Sequence, residues 1–138
     1  QSEYFNYNTT PASKLINSLR ANKISHIILA GYLRLIPNKI IKEFPNKILN
    51  IHPALLPKFG GKGYYGDYVH KSVIDSKEKK SGITIHLVNE KYDEGRILFQ
   101  KSIAVMSDDD VASLSSRIHQ LEYKYYPQII EKYLLNQL

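Results

Sequence analysis

No cysteine and no tryptophan occur in these 138 residues, and methionine appears once. Without cysteine there are no disulfides and no thiolate metal sites, which excludes both a disulfide-stapled scaffold and a cysteine zinc module. The absence of cysteine is compatible with a reducing compartment but does not by itself establish one; no signal peptide is visible, and a cytoplasmic location is the expectation. No run approaches the roughly 20 apolar residues of a membrane span, so no membrane partner is expected. Acidic residues are the scarcer charge, 13 against 19 Lys and Arg, for a net charge of +6. That balance favours anionic partners in general. The basic residues are scattered from Lys14 to Lys132, however, and their densest run, 77–80, reads as an exposed loop. With no zinc-finger spacing and no RNA-binding aromatic motif, no nucleic-acid partner is expected.

What is present reads as one α/β domain. A hydrophobic fraction of 43% beside 23% charged residues is ordinary for a globular protein, and a chain of this length buries about two thirds of its unfolded surface. Leu15, Ile16 and Leu19 repeat at helical spacing within 13–23. The continuous apolar run at 26–30 has the pattern of a strand buried on both faces. Pro37 opens a short helix to Phe44, and 47–52 is the next buried strand. The stretch 53–66, punctuated by Pro53, Pro57, Gly60, Gly61, Gly63 and Gly66, is a loop. A helix over 68–76 precedes strands at 82–88 and 96–105, whose short link makes them an antiparallel pair. Ser107 and the acids at 108–110 begin a final helix with a stripe of Val111, Leu114, Ile118, Leu121 and Tyr125, which Pro127 should kink or split. The expected fold is therefore a mostly parallel sheet with one antiparallel pair and crossover helices.

Asn50 and His52 are the first candidate site. Two residues apart on a strand, they share a face, and Pro53 ends the strand directly after them. In a parallel α/β sheet ligands bind at the carboxyl ends of strands, where an amide donor and a titratable base can stabilise an oxyanion and move a proton. Asp93, in the 89–95 turn, could orient or protonate the imidazole if the 82–105 hairpin lies beside the 47–52 strand. The stretch 61–66 matches G-x-G-x-x-G, but it begins well after the strand ends, and Tyr64 and Tyr65 would crowd a pyrophosphate. It reads as a mobile lid over an active site or a plain surface loop. His86 alternates with Thr84 and reads as structural; His26 and His70 have no neighbours in sequence that single them out. His119 and Glu122 lie one helical turn apart, as a solvated face or a substrate clamp, and no third ligand accompanies them, so no metal is expected.

Four segments, LAGYLRLIP (29–37), NIHPALLPKFGG (50–61), GITIHLVNEKYDEG (82–95) and RIHQLEYKYYP (117–127), together resemble the folate-dependent formyltransferases. The resemblance covers nearly the whole chain in order. Its most specific motifs are Asn-x-His-Pro followed by Leu-Leu-Pro, and Gly-x-Thr-x-His with Asp seven residues after that His. It implies a Rossmann-like three-layer formyltransferase fold, a catalytic trio of Asn50, His52 and Asp93, and N10-formyltetrahydrofolate as cosubstrate. The branch it most resembles formylates glycinamide ribonucleotide in purine biosynthesis. The pterin would then rest on main chain at Arg34, Leu35 and Ile36 and on the turn of Val88, Asn89, Glu90 and Asp93. The acceptor would meet Pro53, His119 and Glu122. The resemblance further implies a monomer or homodimer acting on small molecules, and a domain whose first βα unit, bearing a phosphate-binding loop, is missing from these residues. Formyltetrahydrofolate hydrolysis and folate binding without catalysis are the alternative functions.

Overall fold

The computed structural model describes Phe5, Asn6 and residues 8–138, so the polar N-terminal segment lies partly outside the described residues. The elements follow as α1 (Ala12–Ala21), β1 (Ile27–Leu29), α2 (Asn38–Glu43), β2 (Ile48–His52), α3 (Asp67–Asp75), β3 (Lys80–Leu87), β4 (Ile97–Ala104) and α4 (Val111–Leu134). They form one mixed sheet in the order β1-β2-β3-β4. β1 pairs parallel to β2, with Ile27 opposite Ile48. β3 then runs antiparallel to both β2 and β4. The parallel share is thus smaller than the helix–strand rhythm predicts. The reason lies in the 53–66 loop and α3, which together leave and re-enter the sheet at the same end, so β3 starts where β2 finishes.

Strand alternation sorts the core into three layers. Ile27, Leu29 and Ile48 face α1 and α2, meeting Leu15, Ile16, Ile40 and Phe44. Ile51, Ile83, Ile85 and Phe99 face α3 and α4, meeting Val73, Leu114, Ile118, Tyr126 and Ile129. Ile48, Leu49, Ile83 and Ile85 are at most 1% exposed, each burial stabilising by about 1.5–3 kcal/mol relative to exposure. β1 departs from expectation: among the described residues it is an edge strand, and Ile28 is 38% exposed. An apolar run shows what a strand tolerates; the neighbours decide what it buries.

α4 is capped one turn later than its acids suggest. Asp110 accepts from the Ser113 N–H at 2.7 Å while its own N–H donates to Ser113 Oγ at 3.0 Å, a reciprocal capping box. Asp109 instead closes the preceding turn, taking the Met106 N–H and the Arg117 side chain. α4 also runs unbroken through Pro127. The backbone bond that proline lacks would have reached the carbonyl of Tyr123, on a side of the helix so exposed that water can serve instead. No helix among the described residues is long and apolar enough to cross a membrane.

The 53–66 loop is fastened to the sheet by side chains of β3 and β4. Thr84 Oγ1 donates to the Ala54 carbonyl at 2.7 Å and accepts from the Leu56 N–H at 3.0 Å. Gln100 Nε2 donates to the Leu56 carbonyl and to Thr84 Oγ1. Gly82 permits the close approach, since a Cβ there would lie 2.7 Å from Leu55 Cδ2 and 2.1 Å from the Lys101 carbonyl oxygen. The chain leaving His52 is therefore held from its first residues.

Candidate active site

Register brings the first candidates together. Asn50 lies opposite His86 and His52 opposite Thr84, so all four share one face of the sheet. A bulge in the β3–β4 ladder falls between Ile85 and His86, the kind of irregularity that re-aims a side chain. The turn after β3 then folds back over this face. Gly95 makes that possible, because a Cβ there would lie 1.7 Å from the Leu87 carbonyl oxygen. The fold-back delivers Asp93 to both imidazoles: Oδ2 lies 3.6 Å from His52 Nδ1 and Oδ1 lies 3.5 Å from His86 Nε2.

Hydrogen bonds set which atoms are available. His52 Nε2 is 2.7 Å from the Phe59 carbonyl, which can only accept, so Nε2 carries the proton and Nδ1 faces Asp93. By the same logic His86 Nδ1 donates to the Leu87 carbonyl at 2.9 Å. With His86 neutral, its Nε2 accepts one Asn50 Nδ2 proton at 3.2 Å; with His86 protonated, the same nitrogen donates toward Asp93 Oδ1. The second Asn50 amide proton remains available. Asp93 Oδ2 also accepts from the Gly61 N–H at 2.9 Å. Phe59 and Asp93 both adopt positive φ, 55° and 54°, a conformation uncommon for phenylalanine and tolerated more readily by aspartate.

Burial lowers the pKa of His52, against the opposing pull of the Asp93 carboxylate and the Phe59 carbonyl. Burial would raise that of Asp93, but His86, His52 and the Gly61 N–H together hold it below the ordinary value. The resting pair is therefore a neutral imidazole beside an ionised carboxylate. A proton arriving at Nδ1 would be held between them.

Above this cluster lies a cavity of about 820 Å³. Arg34, Leu35, Ile36, Pro53, Val88, His119 and Glu122 all line it, beside Asn50, His52 and Asp93. Asn89 and Glu90 belong to the same turn but not to the cavity wall; the Asn89 side-chain oxygen accepts the Lys91 N–H at 3.0 Å and shapes the turn. His119 Nδ1 meets Glu122 Oε2 at 2.7 Å. The 61–66 stretch forms one rim of the cavity, with Gly61 and Gly63 at φ 95° and 94°. Among the described residues no group of three or more His, Asp or Glu is arranged to hold a metal ion.

Two features escape a reading of the sequence. His86, read as structural, touches both Asn50 and Asp93; its position on the Thr84 face was visible, but its partners depended on strand pairing. His70, without any distinguishing neighbour in sequence, is 2% exposed, lines the cavity, and leaves Nδ1 without a partner among the described residues. Burial first, then the His119 charge, lowers its pKa against the effect of Asp67.

A mixed α/β sheet thus brings a carboxamide, a carboxylate and two imidazoles together under a cavity, groups able to donate a hydrogen bond to growing negative charge and to move a proton. A family model described as formyl transferase matches residues 1–130, and the chain belongs to that family. It is 49% identical over 118 residues to "Phosphoribosylglycinamide formyltransferase, chloroplastic" of Arabidopsis thaliana, across 86% of this chain and 40% of that protein. To the phosphoribosylglycinamide formyltransferase of Bacillus subtilis it is 40% identical over 120 residues, across 87% of this chain and 59% of that one. The crystal structure of the phosphoribosylglycinamide formyltransferase from Bacillus halodurans superposes with a TM-score of 0.82 at 31% identity, covering 89% of this chain and 61% of that one. The chain thus spans about two fifths to three fifths of these relatives.

Proposed function

We propose that this chain carries the formyl-transfer centre of a phosphoribosylglycinamide formyltransferase, moving a formyl group from N10-formyltetrahydrofolate to the amine of glycinamide ribonucleotide. The observation that supports this most is the Asn50–His86–Asp93–His52 cluster at the mouth-facing end of β2, under a cavity large enough for a folate. In this reading the amine nitrogen attacks the formyl carbon, and negative charge grows on the formyl oxygen. The Asn50 amide proton not engaged by His86 stabilises that charge. The C–N10 bond then breaks. The proton lost by the amine reaches N10 through Asp93, directly or by way of a water, and His52 is kept in orientation beside it. An imidazolium formed at His52 would be stabilised by the ionised Asp93. Orientation within the cavity and the amide donor supply the barrier reduction, and no covalent enzyme intermediate is required.

Arg34, Leu35 and Ile36 on one side and the 88–93 turn on the other would hold the pterin by main-chain groups, with Pro53, His119 and Glu122 toward the acceptor. The same proposal includes a single domain, small-molecule substrates with neither membrane nor nucleic-acid partner, a monomeric or homodimeric state and a cytoplasmic setting. The test is formyl transfer by the full-length protein, with formate release in the absence of amine measured alongside. Transfer that depends on glycinamide ribonucleotide supports the proposal. Formate release without it points to a hydrolase, and folate binding with neither activity points to a non-catalytic module. Asn50→Ala should lower kcat by about 10²–10³-fold, the usual effect of losing one oxyanion donor. Unchanged transfer with normal folate affinity would remove Asn50 from that role.

A further inference from the structure

Tyr92 joins two parts of the cavity that are distant in sequence. Its phenol oxygen accepts the backbone N–H of Leu35 at 3.2 Å, across 57 residues of chain. Its half-buried ring lines the cavity beside Leu35, Ile36, Val88 and Asp93. A phenol is donor and acceptor at once. Accepting from Leu35 leaves the O–H proton, and no described residue takes it. Two consequences follow for anything bound here. The Leu35 N–H is already engaged and is not offered to a ligand. In exchange, the cavity wall presents a hydroxyl donor on a side chain that is itself anchored.

We propose that Tyr92 is a positioning residue for the formyl donor: it clasps the 34–36 loop to the 88–93 turn and offers its phenolic proton to an acceptor atom of the bound heterocycle. The inference rests on the proposed folate-dependent transfer and adds a side chain to a subsite otherwise assigned to main chain. Asp93 follows directly, so the clasp also steadies the turn that brings the carboxylate to His52. That carboxylate has its own anchor in the Gly61 N–H, which separates the two effects. Removing the hydroxyl should weaken donor binding while chemistry continues.

Tyr92→Phe in the full-length protein tests this. The expected result is a rise of about three- to tenfold in the KM for the formyl donor, the effect of losing one or two hydrogen bonds. The acceptor KM should not change, and kcat should stay within about twofold. Equilibrium binding of a non-transferable formyl-folate analogue, measured without acceptor, should weaken by the same factor. Tyr92→Leu, which also removes the ring, should weaken donor binding further. An unchanged donor KM in Tyr92→Phe, or an equal rise in both KM values with a lower melting temperature, would overturn the proposal and leave only a structural clasp. If the unsubstituted protein neither binds the analogue nor transfers formyl, the functional reading fails and this inference with it.

Discussion

The two walls of the cavity differ in how firmly their side chains are tied. On the β2–β3 wall, three side chains are bonded to backbone, His52 to the Phe59 carbonyl, His86 to the Leu87 carbonyl and Asp93 to the Gly61 N–H, and Asn50 is bonded to the His86 ring. On the α3–α4 wall, among the described residues, His119 pairs with neighbours on its own helix, Tyr123 is 79% exposed, and His70 keeps an unpartnered Nδ1. The first wall is fixed before any ligand arrives, which is what electrostatic stabilisation of a transition state needs. The second, with fewer such ties, is the more adaptable, although Tyr126 on α4 donates to the Leu29 and Leu49 carbonyls. In the proposed function chemistry would fall to the tied side and recognition to the adaptable one, and substitutions on the two sides should fail differently.

Asp93→Asn gives the largest expected contrast. It keeps the shape of the tied wall and removes the negative charge that faces both imidazoles. The fold should survive, since the carboxamide oxygen can still accept the Gly61 N–H. Turnover should fall by about 10²–10⁴-fold, the range associated with a lost acid–base group. A near-normal rate in steady-state assays would show that the tied wall does not carry the proton relay.

Gly60→Ala should come next. A Cβ at position 60 would lie 2.3 Å from Leu56 Cδ2 and 3.3 Å from Asp93 Cβ, so either the Leu56 side chain, buried and short of room, turns aside or the loop shifts. A loop shift would take with it the Phe59 carbonyl and the Gly61 N–H, the anchors of His52 and Asp93. No catalytic atom is removed, yet a displacement on the ångström scale costs about 10²-fold when geometry is the catalyst. kcat should fall by that order with substrate affinities little changed. If kcat holds while affinities weaken, the 59–61 segment belongs to the adaptable side.

The tied wall was the more legible of the two. Asn50 and His52 could be paired from strand periodicity and the Pro53 stop, both local facts. Asp93 could be nominated from its turn, but its approach to His52 needed the β2–β3 register, which no local pattern specifies. His86 shows the limit most clearly: alternation gave its face and left its partners unknown. The direction of β3 was hidden for the same reason, because a loop–helix connection reads alike whether the chain returns parallel or antiparallel. On the adaptable wall, His70 had no cue at all. Its burial beside Val69 and Val73 arises from how α3 packs on α4.

His70 also yields the smallest expected effect. His52 and His70 both have lowered pKa values in the folded state, chiefly through burial. The unfolded chain takes up these protons near the ordinary value of 6.5. Below that pH the unfolded state therefore binds more protons than the native one, and stability falls as pH falls. The decline ends once the pH passes the lowered native values. Asp93, held low, adds a loss only in more acid solution, below its ordinary 3.8. Thermal melts between pH 7.5 and 5 should show this acid limb, and His70→Gln should flatten it by removing one of the two buried imidazoles. An unchanged slope in His70→Gln would assign the whole limb to His52, so that the tied wall would govern acid stability as well as chemistry.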